Sequence, residues 1–204
     1  MLKSIRSVRN PGVMVASVAV ALAVPTITAA QGQVRIVQTN SAGDNVHVID
    51  PVTKTVIGEI SGIERAHGAA PSPDGRHLYV ANESDDTVDV VDMVMMKVVK
   101  QIVLSGRPNN IAITPDGRKV YVAIAQSPGA LEVIDTATNE ISATISVHGG
   151  VHNTYVTPDG KYAVAGMIGA RNITVVDTET DMPVWTTYWD LGICLLYTSP
   201  SPRD

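Results

Sequence analysis

Two landmarks return along this chain with one period. Pro73-Asp74-Gly75 recurs as Pro115-Asp116-Gly117 and Pro158-Asp159-Gly160, at spacings of 42 and 43 residues. The aspartate that closes VDVVD, Asp92, recurs as Asp50 in VHVID, Asp135 in LEVID and Asp177 in ITVVD, at spacings of 42, 43 and 42. A short unit repeated this way cannot enclose a core within one copy, so each copy must bury its faces against its neighbours. That restricts the chain to a stacked array of like units before composition is considered.

The unit itself reads as strands. Leu78-Tyr79-Val80-Ala81, Val88 with Val90-Val91, and Val98-Val99 with Ile102-Val103 are short, β-branched or alternating runs bounded by turn residues. Pro-Asp-Gly is a turn with a mechanism: proline presets φ, aspartate bonds the backbone ahead, and glycine takes a positive φ. Asp74, Gly75, Asp116, Gly117, Asp159 and Gly160 are therefore structural turn residues. The fixed place of Asp50, Asp92, Asp135 and Asp177 after each third strand assigns them to turns as well. Glu83-Ser84-Asp85-Asp86 reads as a polar hairpin tip. Each unit gives four strands: A before the turn, B after it, C ending at the repeated aspartate, and D. A period of about 40–45 residues with four strands is that of a β-propeller blade. The fold class is all-β, a propeller of four-stranded antiparallel blades.

Pro-Asp-Gly followed by Tyr79-Val80-Ala81-Asn82 and then VDVVD resembles the YVTN-type propeller repeat of secreted bacterial proteins. Two copies depart from it, with Ile124 and Met167 in the asparagine slot. The resemblance implies a seven-bladed ring, of which residues 31–193 form an open arc of about four blades, near 33–60, 67–103, 109–146 and 152–190. The first lacks strand A, and further C-terminal blades of the same chain are needed for closure. The resemblance fixes architecture more than activity, because one fold hosts many functions.

The two ends depart from the repeat. Lys3, Arg6 and Arg9 precede Val13–Val24, twelve residues that are apolar but for Ser17, and Thr28-Ala29-Ala30 follows. Residues 1–30 read as a secretory signal peptide, too short in its apolar run to span a bilayer; a membrane anchor is the competing reading. The mature chain is then expected in the periplasm or outside the cell, without a membrane span. Without those three cations it carries 12 basic and 20 acidic residues, a net charge of −8. That balance argues against nucleic acid as a partner. Residues 194–204 break the repeat and resemble one reading frame of a transposon-end sequencing adapter. They are expected to be foreign to the protein, the alternative being a natural Ser/Pro-rich tail. Cys194 is the sole cysteine, so the repeats contain neither a Cys-x-x-Cys-His haem attachment nor a cysteine metal site.

One constellation stands apart from the scaffold. His67, Asn109 and His152 each lie six residues before a Pro-Asp-Gly proline, and Arg65 and Arg107 lie eight before. At the start of strand A these positions converge on one mouth of a propeller's channel. In the plainest reading these side chains only bond backbone groups or water at the strand starts, and two functional readings stand beside it. In the first, the mouth and loops bind a small-molecule or protein ligand. In the second, the chain is an enzyme or redox domain: a lactone hydrolase with a channel metal, or an electron-transfer domain with copper or haem. Imidazole suits copper, iron and other divalent transition metals, which makes His67 and His152 the candidate metal ligands. His148 lies four residues before His152. Met93, Met95 and Met96 read as packing rather than soft ligation, and Trp185, Tyr188 and Trp189 as a cluster that fills a gap between blades or stands exposed.

Overall fold

A computed structural model of the chain describes residues 34–193, and the leader and tail readings lie outside the described residues. Fifteen strands and no helix occur among the described residues. The first sheet has three strands, β1 (Ile36–Thr39), β2 (Asn45–Asp50) and β3 (Thr55–Ser61), in that order. Three four-stranded meanders follow. They are β4 (Ala66–Pro71) to β7 (Lys97–Val103), β8 (Pro108–Ile113) to β11 (Glu140–Ser146), and β12 (Asn153–Val156) to β15 (Met182–Tyr188). Within them lie β5 (His77–Asn82), β6 (Thr87–Asp92), β9 (Lys119–Ile124), β10 (Ala130–Asp135), β13 (Tyr162–Met167) and β14 (Asn172–Asp177). All pairings are antiparallel. The first strands of successive sheets, β4, β8 and β12, lie side by side, and β1 lies against β4. This is an open arc of a β-propeller.

Each seam between sheets is its own core. Val46, Val48 and Ile60 of the first sheet pack on Leu78, Val80 and Val91 of the second. Tyr79, Ala81, Val88 and Val90 of the second pack on Val120, Val122 and Ile124 of the third. Tyr121, Ala123, Leu131 and Val133 of the third meet Ala163, Ala165 and Met167 of the fourth. Strands β5 and β9, interior on both sides, are therefore buried on both faces rather than alternating. Burying one such Val or Leu contributes about 1.5–3 kcal/mol, so the seams hold the array together. Met93 and Met96 join the first seam, while Met95 is exposed.

The turns are built by side chains. Asp74 Oδ1 accepts from Ser72 Oγ at 2.6 Å and from the Arg76 amide at 3.0 Å. Asp116 repeats this with Thr114 and Arg118, and Asp159 with Thr157 and Lys161. Gly75, Gly117 and Gly160 sit at φ of 70–74°, where a β-carbon is disfavoured. Asp50, Asp92, Asp135 and Asp177 each accept two amides of the following turn on Oδ1.

These bonds to the charged form have a consequence for acid stability. The Thr114 hydroxyl and the Arg118 amide hold Asp116 down at about 2, and the matching hydroxyls and amides lower Asp74 and Asp159. A carboxyl whose folded value lies below its unfolded value of about 3.9 stabilises the fold above that pH and loses the contribution as pH falls through the folded value. Melting temperature is therefore expected to fall steeply between about pH 4 and pH 2. Thermal melts of the wild type and Asp116→Asn across that window check this. The variant should lose part of the acid limb.

Candidate functional site

The inner strands all begin at one rim. His67 is the second residue of β4, Asn109 the second of β8, and His152 immediately precedes β12. At the first two starts the ladder carries an extra residue. Ala66 and Ala69 face Asn82 and Val80, and Pro108 and Ile111 face Ile124 and Val122. Such a bulge breaks the in-out alternation and re-aims side chains. On β8 it sends neighbouring side chains in opposite directions. Asn109 Nδ2 donates back to Glu83 of the second sheet at 3.4 Å, and Asn110 Oδ1 accepts the Thr154 amide of the fourth at 3.1 Å. The strands come so close that a β-carbon on Gly68 would lie 2.7 Å from the Asn109 carbonyl oxygen. Only glycine fits there.

Glu83 is the residue that strand-pattern reasoning missed. It follows β5 and had the look of a hairpin tip, yet its side chain is only 10% exposed. One carboxylate oxygen accepts from Arg65 at 3.3 Å and the other from Asn109. The carboxylate thus joins the starts of two inner strands. Asn109 Oδ1, on the far side of that amide, is enclosed and has no protein partner. The equivalent residues after β9 and β13 are Ala125 and Ile168; that break in an otherwise regular repeat is the signal that marks Glu83.

His152 is the most prepared of the candidate ligands. It is half-buried, its amide is held by the Gly166 carbonyl at 2.9 Å, and its Nδ1 lies 2.5 Å from Asn153 Oδ1. With the Asn153 amide oxygen accepting, the neutral tautomer that suits this contact has its hydrogen on Nδ1, which leaves Nε2 as the nitrogen able to ligate. His67 is exposed, and its carbonyl accepts from Thr39 Oγ1 at 2.7 Å. No hydrogen bond joins His67, Asn109 and His152 to one another among the described residues. No group of three or more His, Cys, Asp or Glu gathers at metal-binding range among the described residues. Arg65 and Arg107 are both exposed at this rim, Arg65 with a φ of 51°. Trp185, Tyr188 and Trp189 stand exposed along the outer strand β15, where the Tyr188 ring tilts against His148 at 6.3 Å between centroids.

A second buried carboxylate supports the rim from below. Glu132 of β10 is 1% exposed, and both of its oxygens accept from the Ser105 amide at 3.3 Å. Ser105 lies on the connection that leads through Arg107 to Asn109. At the matching place in the second sheet, Asp89 instead bonds Thr87, Asn82 and Gln101 within its own sheet. Glu132 is longer by one methylene and reaches the linker.

No curated protein matches the chain. A solved structure of *Kuenenia stuttgartiensis* hydrazine synthase is similar to it, at 32% sequence identity and a TM-score of 0.70, over 74% of this chain. The chain spans less than half, 45%, of the chain it matches there. The family model for the cytochrome D1 heme domain matches residues 31–172. That stretch contains all three inner-strand starts together with Arg65, Glu83 and Arg107. With the match running from before β1 to the start of β14, the chain belongs to the cytochrome D1 heme domain family.

Proposed function

We propose that this chain is the β-propeller part of a haem-binding redox protein, with the haem seated at the rim where β4, β8 and β12 begin. The family match across residues 31–172 carries the reading, and it favours the redox alternative over a plain ligand-binding module. We further infer a YVTN-type repeat and export to the periplasm or beyond, from the repeat motifs and the leader of the sequence.

The residues present fit the group. Haem iron is held by a side chain such as an imidazole, and His152 would offer Nε2, its other nitrogen being in contact with Asn153. A hydrogen bond to the other ring nitrogen fixes the ring and raises the basicity of the ligating nitrogen. His67, exposed at the start of β4, would be the second imidazole available to the group. Haem carboxylates call for cations, and Arg107 supplies an unpaired guanidinium at the same rim, while the Arg65 guanidinium is taken by Glu83. The enclosed, unpartnered Asn109 Oδ1 accepts from a water or a ligand donor. When bound, the cofactor supplies an iron centre for electron transfer and small-molecule coordination. The chain's own residues would orient it, His152 through the contact of its Nδ1 with Asn153 and Arg107 through its guanidinium.

Expression of the full chain in a haem-replete host, with export, tests this. Haem should co-purify at one equivalent per chain by pyridine haemochrome absorbance. A colourless chain that also fails to take up added haem would sink the reading.

A further inference from the structure

The two rim arginines look equivalent in the sequence and are not equivalent in the structure. Each lies eight residues before a Pro-Asp-Gly proline, and the carbonyl of each accepts an amide from the residue that follows strand B. Glu83 N–H donates to Arg65 at 3.4 Å, and Ala125 N–H donates to Arg107 at 2.9 Å. The backbone pairing is the same, but the side chains differ. Glu83 neutralises Arg65 at 3.3 Å. Ala125 has no carboxylate to offer, and the Arg107 guanidinium has no ion-pair partner among the described residues. The fourth sheet has Gly150 and Ile168 in these two positions and no charge at all.

The backbone on either side of Arg107 is held in place as well. Pro108 and Gly106 on either side are buried, and the Ser105 amide is clasped by the buried Glu132. A guanidinium held on a fixed backbone and left without a counter-ion is what recognition of a carboxylate or oxyanion requires.

We infer that Arg107, and not Arg65, is the anion-recognising residue of the rim, and that the choice is encoded by Ala125 standing where the second sheet has Glu83. The ligand it takes carries a carboxylate or another oxyanion. Identifying that acid with a haem carboxylate rests on the function proposed above; the anion site itself does not.

The test uses the full chain without cofactor and three variants: Ala125→Glu, which rebuilds the Glu83 arrangement beside Arg107, Arg107→Gln, and Glu83→Gln. Two probes are titrated into each. One is ferric protoporphyrin as the free diacid and as its dimethyl ester, and the other is inorganic phosphate. Wild type should bind the diacid about tenfold or more tightly than the ester, the range for one charge-assisted bond. Ala125→Glu and Arg107→Gln should both erase that preference, and Glu83→Gln should keep or widen it by freeing Arg65. A carboxylate at 125 would also approach His152, as Glu83 approaches Asn109, so agreement with Arg107→Gln is required. Equal affinity for diacid and ester, or a preference that survives Ala125→Glu, would overturn the assignment while leaving the haem reading intact. If neither porphyrin binds, the haem reading fails and phosphate decides. Binding by wild type that is lost in both Ala125→Glu and Arg107→Gln sustains the anion site, and phosphate binding that is absent or unchanged refutes it. Thermal melts of each variant show that the fold is kept.

Discussion

His152→Ala is expected to lower haem affinity by about 100-fold or more, while leaving the melting temperature within a few degrees of wild type. Removing only the group that hydrogen-bonds a ligating histidine typically changes metal affinity about 10–100-fold, and loss of the ligand itself exceeds that. The imidazole is half-buried at the end of a strand, and the backbone bond to Gly166 survives the substitution. Asn153→Ala should act more mildly, by about tenfold, because it releases the Nδ1 proton and lets the ring take the other tautomer. His67→Ala should fall between wild type and His152→Ala, since that ring has no orienting bond. Titration with ferric haem, followed by the Soret band, checks the order. If His152→Ala binds as wild type does, the axial assignment is wrong.

Asp181→Ala is expected to be the most damaging substitution for the fold. Asp181 is the last residue of the turn between β14 and β15, and it crosses the third seam. Its Oδ1 accepts from the Tyr121 hydroxyl at 2.6 Å and its Oδ2 from Lys119 Nζ at 2.7 Å. Burial first, then the bond to Asp181 and its negative charge, push the Tyr121 phenol far above its ordinary range. Removing the carboxylate leaves the hydroxyl of a wholly buried ring without its acceptor, and leaves the partly enclosed Lys119 ammonium with the Thr178 carbonyl alone at 2.7 Å. An unsatisfied buried group costs about 1–3 kcal/mol, and a broken partly buried pair adds to it. Asp181 also sits at φ 54°, which alanine tolerates less well than aspartate or asparagine. Together these give about 3 kcal/mol, or roughly 6–12 °C in melting temperature for a domain of this size. Asp181→Asn keeps an acceptor for Tyr121 and a residue suited to that φ, so it should lose about half as much. Tyr121→Phe and Asp181→Ala should also be non-additive, because each removes the other's partner. Additive losses in thermal or urea melts would show that the contact does not hold the seam.

Tyr79 and Asn139 repeat this contact across the second seam, with the hydroxyl donating to Asn139 Oδ1 at 3.2 Å. At the first seam the corresponding positions are Val37 and Met96, both packed in the apolar cluster. Polar partners occur together or are replaced together. That pairing was invisible in the repeat, because strand alternation says that Tyr79 faces inward but not which sheet it meets.

Other features were legible for definite reasons. The period, the Pro-Asp-Gly turns and the closing aspartates are local, and each is enforced by bonds within five residues. Even the uneven spacing has a place in the fold. The landmarks step by 42 then 43 for the glycine turns and by 42, 43 then 42 for the aspartates. The extra residue therefore lies between β9 and β10, where the loop runs from 125 to 129 rather than the four residues of 83–86. The starts of the inner strands could likewise be placed by counting. What counting could not supply was the bulge at His67-Gly68 and Asn109-Asn110, which depends on how closely β4 and β8 approach. Nor could it separate Glu83 from its polar loop or Arg107 from Arg65. Those distinctions come from contacts between sheets, and they are carried by the residues where the repeat is broken.

The most direct test of the central claim is an anaerobic titration of the full chain with ferric haem, with near-infrared magnetic circular dichroism on the product. The account predicts saturation at one haem per chain and a charge-transfer band of nitrogen-ligated iron that disappears in His152→Ala. Non-stoichiometric uptake, or a nitrogen-ligated signal that persists without His152, would contradict it.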